Sequence, residues 1–252
     1  MPAPSRSGEW RTAVRSYDTR HSRFARPAPG PALRRKVARI AATLEGVYGI
    51  PQPGRNERVL DSLIGCILSQ NTNDLNSYRA WRNLRRRLPT WRKCAEAPVE
   101  EIRDAIRVGG LAPVKSRQIK DILMRIKAIR GAYNLQFVCD MAIDDAFEYL
   151  TAMKGVGVKT AAVVLLFACG RDVFPVDTHI HRIAQRLGLV REGAARDEVF
   201  YAMRDLVPKG KALSLHINLI RFGRDRCHKR GPDHDGCPLR RSCLYVRGLV
   251  KH

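Results

Sequence analysis

The chain is short of acid. Its 252 residues hold 24 Asp and Glu against 46 Lys and Arg, a formal net charge of +22. An imbalance of that size points to a polyanionic partner. Long apolar runs are also missing, so no segment is expected to cross a membrane. Residues 1–36 are polar with no apolar central block, which does not fit a secretory leader. The expectation is an intracellular protein, cytoplasmic and nucleoid-associated in a bacterial cell. No stretch alternates apolar and polar residues convincingly, although "RDVFPV" (171–176) could be briefly extended. Cysteine is sparse: seven residues, an odd number at irregular spacing, do not make a disulfide framework.

Among the cations, arginine outnumbers lysine 35 to 11, which favours forked contacts to phosphate. Residues 1–31, rich in Pro, Ser, Gly and Arg without periodicity, read as a disordered basic tail that adds non-specific DNA affinity. Their Arg-rich, acid-poor character also resembles an organelle transit peptide. From Ala32 onward the pattern is helical. "RRKVARIAATLEGVYG" places Val37, Ile40, Leu44 and Val47 on one helix face. "ERVLDSLIGCILSQ" is apolar on most sides and reads as a central buried helix. "SYRAWRNLRRRL" is amphipathic with a heavily basic outer face. "VEEIRDAIRVGG" opens with acids and closes with glycines, as helices do. The expected fold is all-α, to which the family resemblance carried by the motifs that follow adds two helical lobes, a helix-hairpin-helix motif and a C-terminal metal-cluster loop. Residues 58–172 form the lobe with the hairpin. Residues 32–57 and 173–252 form the other, and a basic cleft is expected between them.

The hairpin is "DDAFEYLTAM-KGVG-VKTAAVVLLFA". Gly155 and Gly157 permit positive φ and close approach of another backbone. The second helix begins near Val158, so its open N–H groups make an anion site suited to a DNA phosphate. Lys159 stands at the mouth of this apolar helix. A lysine beside apolar surface has a lowered pKa and becomes a neutral nucleophile. Further on, "FPVDTHIHRI" places Asp177 to cap the next helix. The same carboxylate can project into a cleft and stabilise an oxocarbenium ion or activate the nucleophile.

"LTAMKGVGVKTAAVVLL" with "VDTHIHRI", preceded by "ILSQNTND" (67–74) and "VGGLAPVKSRQI" (108–119), closely resembles the helix-hairpin-helix DNA glycosylases of the endonuclease III family. The resemblance spans roughly residues 40 to 245. It implies that Lys159 attacks C1′ of a damaged nucleotide with help from Asp177, that a Schiff base forms, and that β-elimination cuts the strand. The nucleotide must first be flipped out of the stack. The resemblance also places Gln70 in the duplex from the minor groove, with Leu111 as a second inserted residue. Simpler readings make Gln70 a polar helix end, Leu111 a core leucine and Lys159 a lysine snorkelling beside a buried helix. One departure is local: relatives carry an aspartate directly after the threonine matching Thr72, where this chain has Asn73 and then Asp74.

Cys66, Cys94, Cys139 and Cys169 lie singly in apolar or helical contexts and read as small core residues. The last three cluster in "CHKRGPDHDGCPLRRSC". The family pattern is C-x6-C-x2-C-x5-C around a [4Fe–4S] cluster. Here the resemblance assigns Cys227, His234, Cys237 and Cys243, with histidine at the second ligand position. Imidazole replaces thiolate in some iron–sulfur centres. On donor chemistry alone, three thiolates and an imidazole would suit zinc, which stays as the lesser alternative. The short loops pinned by such a centre would present Lys229 and Arg230 to phosphate.

The resulting expectation is a monomeric base-excision-repair enzyme acting on double-stranded DNA with damaged bases or abasic sites. It would remove oxidised pyrimidines such as thymine glycol and then cut the strand as an abasic-site lyase. The alternatives are a monofunctional or mismatch-directed glycosylase, and a non-catalytic DNA-binding protein with a redox cluster.

Overall fold

A computed structural model describes residues 29–54 and 57–251 of the chain. Most of the expected basic tail at 1–31 therefore lies outside the described residues. Every regular element among the described residues is helical, and "RDVFPV" is irregular chain with Val173, Phe174 and Val176 buried. No described helix is long and apolar enough to cross a membrane. The chain divides into two compact units, one containing Asn56–Val164 and the other Asp18–Arg55 with Leu165–His252.

The first unit is built around α2 (Val59–Ser69), whose seven buried residues on several faces make it the central helix. The next helix, α3 (Asp74–Arg87), buries only Ala80 and Leu84 and ends in Arg85, Arg86 and Arg87. Cations in that last turn complement the helix dipole. Asn73 caps α3, its side-chain oxygen accepting from the Asn76 N–H at 2.8 Å. The departure from the family pattern at this position thus has a local structural use. Helix α4 (Trp91–Glu96) is capped by Thr90, and the Trp91 indole donates to Asp61 at 2.7 Å. Helix α5 (Val99–Ile106) and the 19-residue α6 (Ala112–Arg130) pack against each other. Helices α7 (Ile143–Thr151) and α8 (Val158–Phe167) form the hairpin.

The second unit is framed by α1 (Pro31–Tyr48), α9 (Thr178–Arg186), α10 (Arg196–Leu206) and α11 (Ala212–Asp225). Val37, Ile40 and Leu44 of α1 are buried as the spacing predicts, with Ala41 completing the stripe. Val47, expected on the same face, is 53 % exposed because the helix ends a residue later, at Tyr48. Helix α11 packs on α1 and α9. Asn218, fully buried, donates to the Gly49 carbonyl at 2.9 Å. Lys211 and Ser214 both bond the Glu45 carboxylate, holding it below the usual carboxylate range although burial pushes it the other way. At Gly223 an added Cβ would lie 2.7 Å from the His179 ring, so α9 and α11 approach as closely as they do only because that position has no side chain.

Candidate active site

The hairpin turn is set by Gly155. Its φ of 79° is strained for any L side chain, and a Cβ there would stand 2.1 Å from the Gln118 amide. Gly157 differs from expectation: it does not adopt positive φ, and nothing lies within 4 Å of the space its Cβ would fill. Its part in the turn is therefore clearance rather than backbone freedom. The Ala161 N–H bonds the Gly157 carbonyl at 3.0 Å, so the first amides of α8 stay open at its N-terminus. Val158 is 5 % exposed and anchors the helix. Lys159 is exposed, because it projects from the first turn while Thr160, Ala161 and Ala162 turn inward. The nearby Cys66 thiol on α2 is pushed up to about 11 by burial, against the opposing pull of Lys159.

Gln70 caps the C-terminus of α2 in extended geometry, and its amide donates to the Gly155 carbonyl at 3.3 Å. The structure thus brings Gln70 and the hairpin together. Two non-glycine residues among the described chain have positive φ: Asn71 at 52° and Leu111 at 51°. Leu111 is 52 % exposed and stands immediately before α6, so it is not a core leucine. Val108 and Val114 beside it are also exposed. Beneath these two loops lies Lys115, 2 % exposed, whose ammonium donates to the Leu68 carbonyl at 2.8 Å and the Gly109 carbonyl at 2.9 Å.

In the second unit, Asp177 caps α9 as expected, accepting from the Ile180 N–H at 2.8 Å. Lys159 and Asp177 therefore belong to different units, each at the first turn of a helix. Beyond α11, Cys227, His234, Cys237 and Cys243 all line a single small pocket. Arg186, 2 % exposed, supports its wall: the guanidinium donates to Cys227 Sγ at 3.2 Å, to the His228 carbonyl at 2.7 Å and to the Lys229 carbonyl at 3.2 Å. Its other face stacks on Tyr245 at 4.6 Å, and Tyr245 meets the His234 ring edge-on at 5.6 Å. Burial raises the Cys237 thiol pKa, with the neighbouring Cys243 and Cys227 adding to the shift. The donor set fits a metal cluster in being soft, mixed and gathered in one pocket. No three His, Cys, Asp or Glu side chains among the described residues converge as a metal site, so the four donors share a pocket without meeting at one point. Lys229 and Arg230 are exposed on its loop. Of the cysteines expected in the core, Cys94 is fully buried, Cys66 is only half-buried, and Cys139 and Cys169 are disulfide-bonded.

Residues 64–209 match the family model described as the HhH-GPD superfamily base excision DNA repair protein. The chain belongs to this superfamily. An Arabidopsis thaliana protein described as a "Putative DNA glycosylase" is 36 % identical over 192 residues, 73 % of this chain and 66 % of its own length. Endonuclease III of Sulfolobus acidocaldarius is 33 % identical over 201 residues, 79 % of this chain and 87 % of its own. The fold is that of a solved endonuclease III in a non-covalent DNA complex, with a TM-score of 0.74 at 24 % identity, covering 85 % of this chain and 97 % of that one. Within the HhH-GPD superfamily the chain is an endonuclease III-like DNA glycosylase.

Sequence reasoning passed over two residues of this glycosylase. Lys115 looks like one more cation on an amphipathic helix, and Arg186 like a basic residue ending another. Each is almost completely buried and spends its charge on backbone carbonyls. Their sequence signal is faint: Ser116 beside Lys115, and Gln185 and Leu187 beside Arg186, are buried as well.

Proposed function

We propose that this glycosylase is bifunctional and that Lys159 is its nucleophile, acting on oxidised pyrimidines in double-stranded DNA. The observation that carries the reading is the exposed amine one residue into α8, directly after a turn whose geometry requires Gly155 and whose Gly157 leaves space for a phosphate. Lys159 Nζ attacks C1′ of a flipped nucleotide. The bond from C1′ to the base breaks, and the base leaves with a proton. Asp177 stabilises positive charge at the sugar as that bond weakens. Loss of a proton from the lysine and opening of the sugar ring give an imine. Removal of a C2′ proton then expels the 3′ phosphate by β-elimination, and water releases the lysine.

A polyanionic partner is supported by α3, where Arg79, Arg82 and Arg86 are exposed and, among the described residues, pair with no carboxylate. With Asn83 and Val108 they line an open groove. The pocket of the second unit is assigned to a [4Fe–4S] cluster held by Cys227, Cys237, Cys243 and His234, with zinc as the alternative fit to the same donors. Such a cluster, when bound, would lock residues 227–243 and the cations they carry. Iron, acid-labile sulfide and zinc content of the purified protein decides between the two.

The test of the reaction is borohydride trapping on duplexes with thymine glycol or a preformed abasic site. Wild type is expected to form a covalent adduct on both, and Lys159→Ala on neither. An adduct on the abasic duplex alone would move the base specificity elsewhere. No adduct on either would overturn the lyase.

A further inference from the structure

We propose that Lys115 is a positioning residue that holds the two duplex-entering segments, at Gln70 and Leu111, in fixed register. The inference rests on the proposed DNA-directed function, with Gln70 and Leu111 entering the duplex as the family resemblance implies, and goes beyond it, because Lys115 is buried and bonds backbone carbonyls. A single ammonium binds the Leu68 carbonyl, two residues before Gln70, and the Gly109 carbonyl, two residues before Leu111. The first carbonyl belongs to the C-terminal turn of α2, where carbonyls lack helical partners and a cation is favoured. The second lies in the short turn Arg107–Gly109 leading to Leu111.

The two segments share a further property. Asn71 and Leu111 are the non-glycine residues in the left-handed region among the described residues, so each segment turns sharply just where a side chain must project. Strain of that kind persists only where the surroundings over-determine it. Around Gln70 the surroundings are Lys115 and the Gly155 carbonyl. Around Leu111 they are Lys115 and the close seat of Gly109 on α3, where an added Cβ would lie 3.0 Å from that of Ala80. Lys115 is the element common to both. Its three donors on one atom suit it to two carbonyls arriving from different directions. Side chains that fill the gap left by a flipped nucleotide must enter together, so a common anchor is what such a pair needs.

The experiment uses the full chain and a duplex carrying a tetrahydrofuran abasic analogue opposite 2-aminopurine, whose fluorescence rises when it is unstacked. Saturating wild type is expected to give a clear rise, and Gln70→Ala with Leu111→Ala to lose it. Lys115→Met is expected to bind the duplex but give a rise about threefold smaller, because the inserting residues no longer arrive together. A merely structural lysine would lower binding and melting temperature while leaving the rise at saturation unchanged, and that result overturns the proposal. Should Lys115→Met melt below the assay temperature, Lys115→Gln keeps an N–H donor group on a shorter, uncharged side chain that does not span both carbonyls, and the same diminished rise is expected of it. A full rise from Lys115→Gln likewise overturns the proposal. A wild type that traps covalently but gives no rise would sink this inference alone. One that gives the rise but fails to trap would sink only the lyase reading.

Discussion

Two irregular regions of the molecule are held in similar ways for opposite ends. In the first unit, the chain around Gln70 and Leu111 is tied by Lys115 to two carbonyls and presents its side chains outward. In the second unit, the chain from Cys227 to Tyr245 is tied by Arg186, and by Arg182 bonding the Gly223 and Cys227 carbonyls, and encloses its thiols in a pocket. Both replace regular backbone pairing with a buried cation on a neighbouring helix. The outward region tolerates left-handed Asn71 and Leu111. In the inward region, as far as residues 227–245 go, positive φ falls only on glycines, Gly231 and Gly236. Presentation of side chains costs backbone strain, whereas enclosure is achieved with glycine and arginine.

The comparison breaks most visibly at Arg186. Replacing it with Met leaves the His228 and Lys229 carbonyls without their donor inside the unit. A hydrogen bond from a charged donor contributes about 1.5–3 kcal/mol, so losing both is expected to cost Arg186→Met about 3 kcal/mol in urea unfolding. A loss under about 1 kcal/mol would mean that the pocket is held by something other than the guanidinium. The next effect is at the hairpin, where two glycines separate clearly. Gly155→Ala meets both the strained φ and the buried Gln118 amide, and a loss of about 2 kcal/mol is expected. Gly157→Ala should leave the thermal midpoint nearly unchanged and weaken DNA binding instead, since its open side faces the proposed phosphate. Equal midpoints for the two variants would refute the division of labour between them.

A smaller effect is expected on the arginine face of α3. The triple variant Arg79→Gln, Arg82→Gln, Arg86→Gln should fold normally. The slope of log K against log salt should flatten by roughly 0.9 for each phosphate that an arginine no longer neutralises, on lesion and undamaged duplex alike. An unchanged slope would remove this face from the DNA-binding surface.

The sequence made the regular parts legible because they follow one rule each. The uniformly apolar α2 and the Val37, Ile40, Leu44 face of α1 are read from periodicity, and Asp177 from the preference of short acids for helix N-termini. The hairpin was legible because few folds place two glycines and a lysine at that spacing. What escaped was set by tertiary neighbours. Gly155 and Gly157 look alike in sequence, and only the Gln118 amide makes one of them irreplaceable. Leucine rarely takes left-handed φ, so nothing marked Leu111 as strained. Lys115 bonds backbone carbonyls, which carry no sequence identity, so no partner residue could point to it, and Arg186 bonds two more beside its contacts to Cys227 and Tyr245. Cys139 and Cys169 sit in apolar contexts that a thiol and a disulfide occupy equally well.

The last contrast between the two regions is chemical, since lysine can lose its proton and arginine cannot. Burial lowers the Lys115 pKa below its usual 10.5. The folded state therefore binds fewer protons than the unfolded state between the lowered value and 10.5, and stability rises with pH across that window. The stability associated with this depressed pKa is present above 10.5 and is lost as pH falls through the folded value. At neutral pH the buried charge is thus carried at a cost, which the two carbonyl bonds offset. Denaturant unfolding of wild type and Lys115→Met should then show a difference that grows in favour of wild type as pH is raised toward 10.5. A flat profile for Lys115→Met would mean that the carbonyls and the surrounding dipoles fully replace its lost hydration.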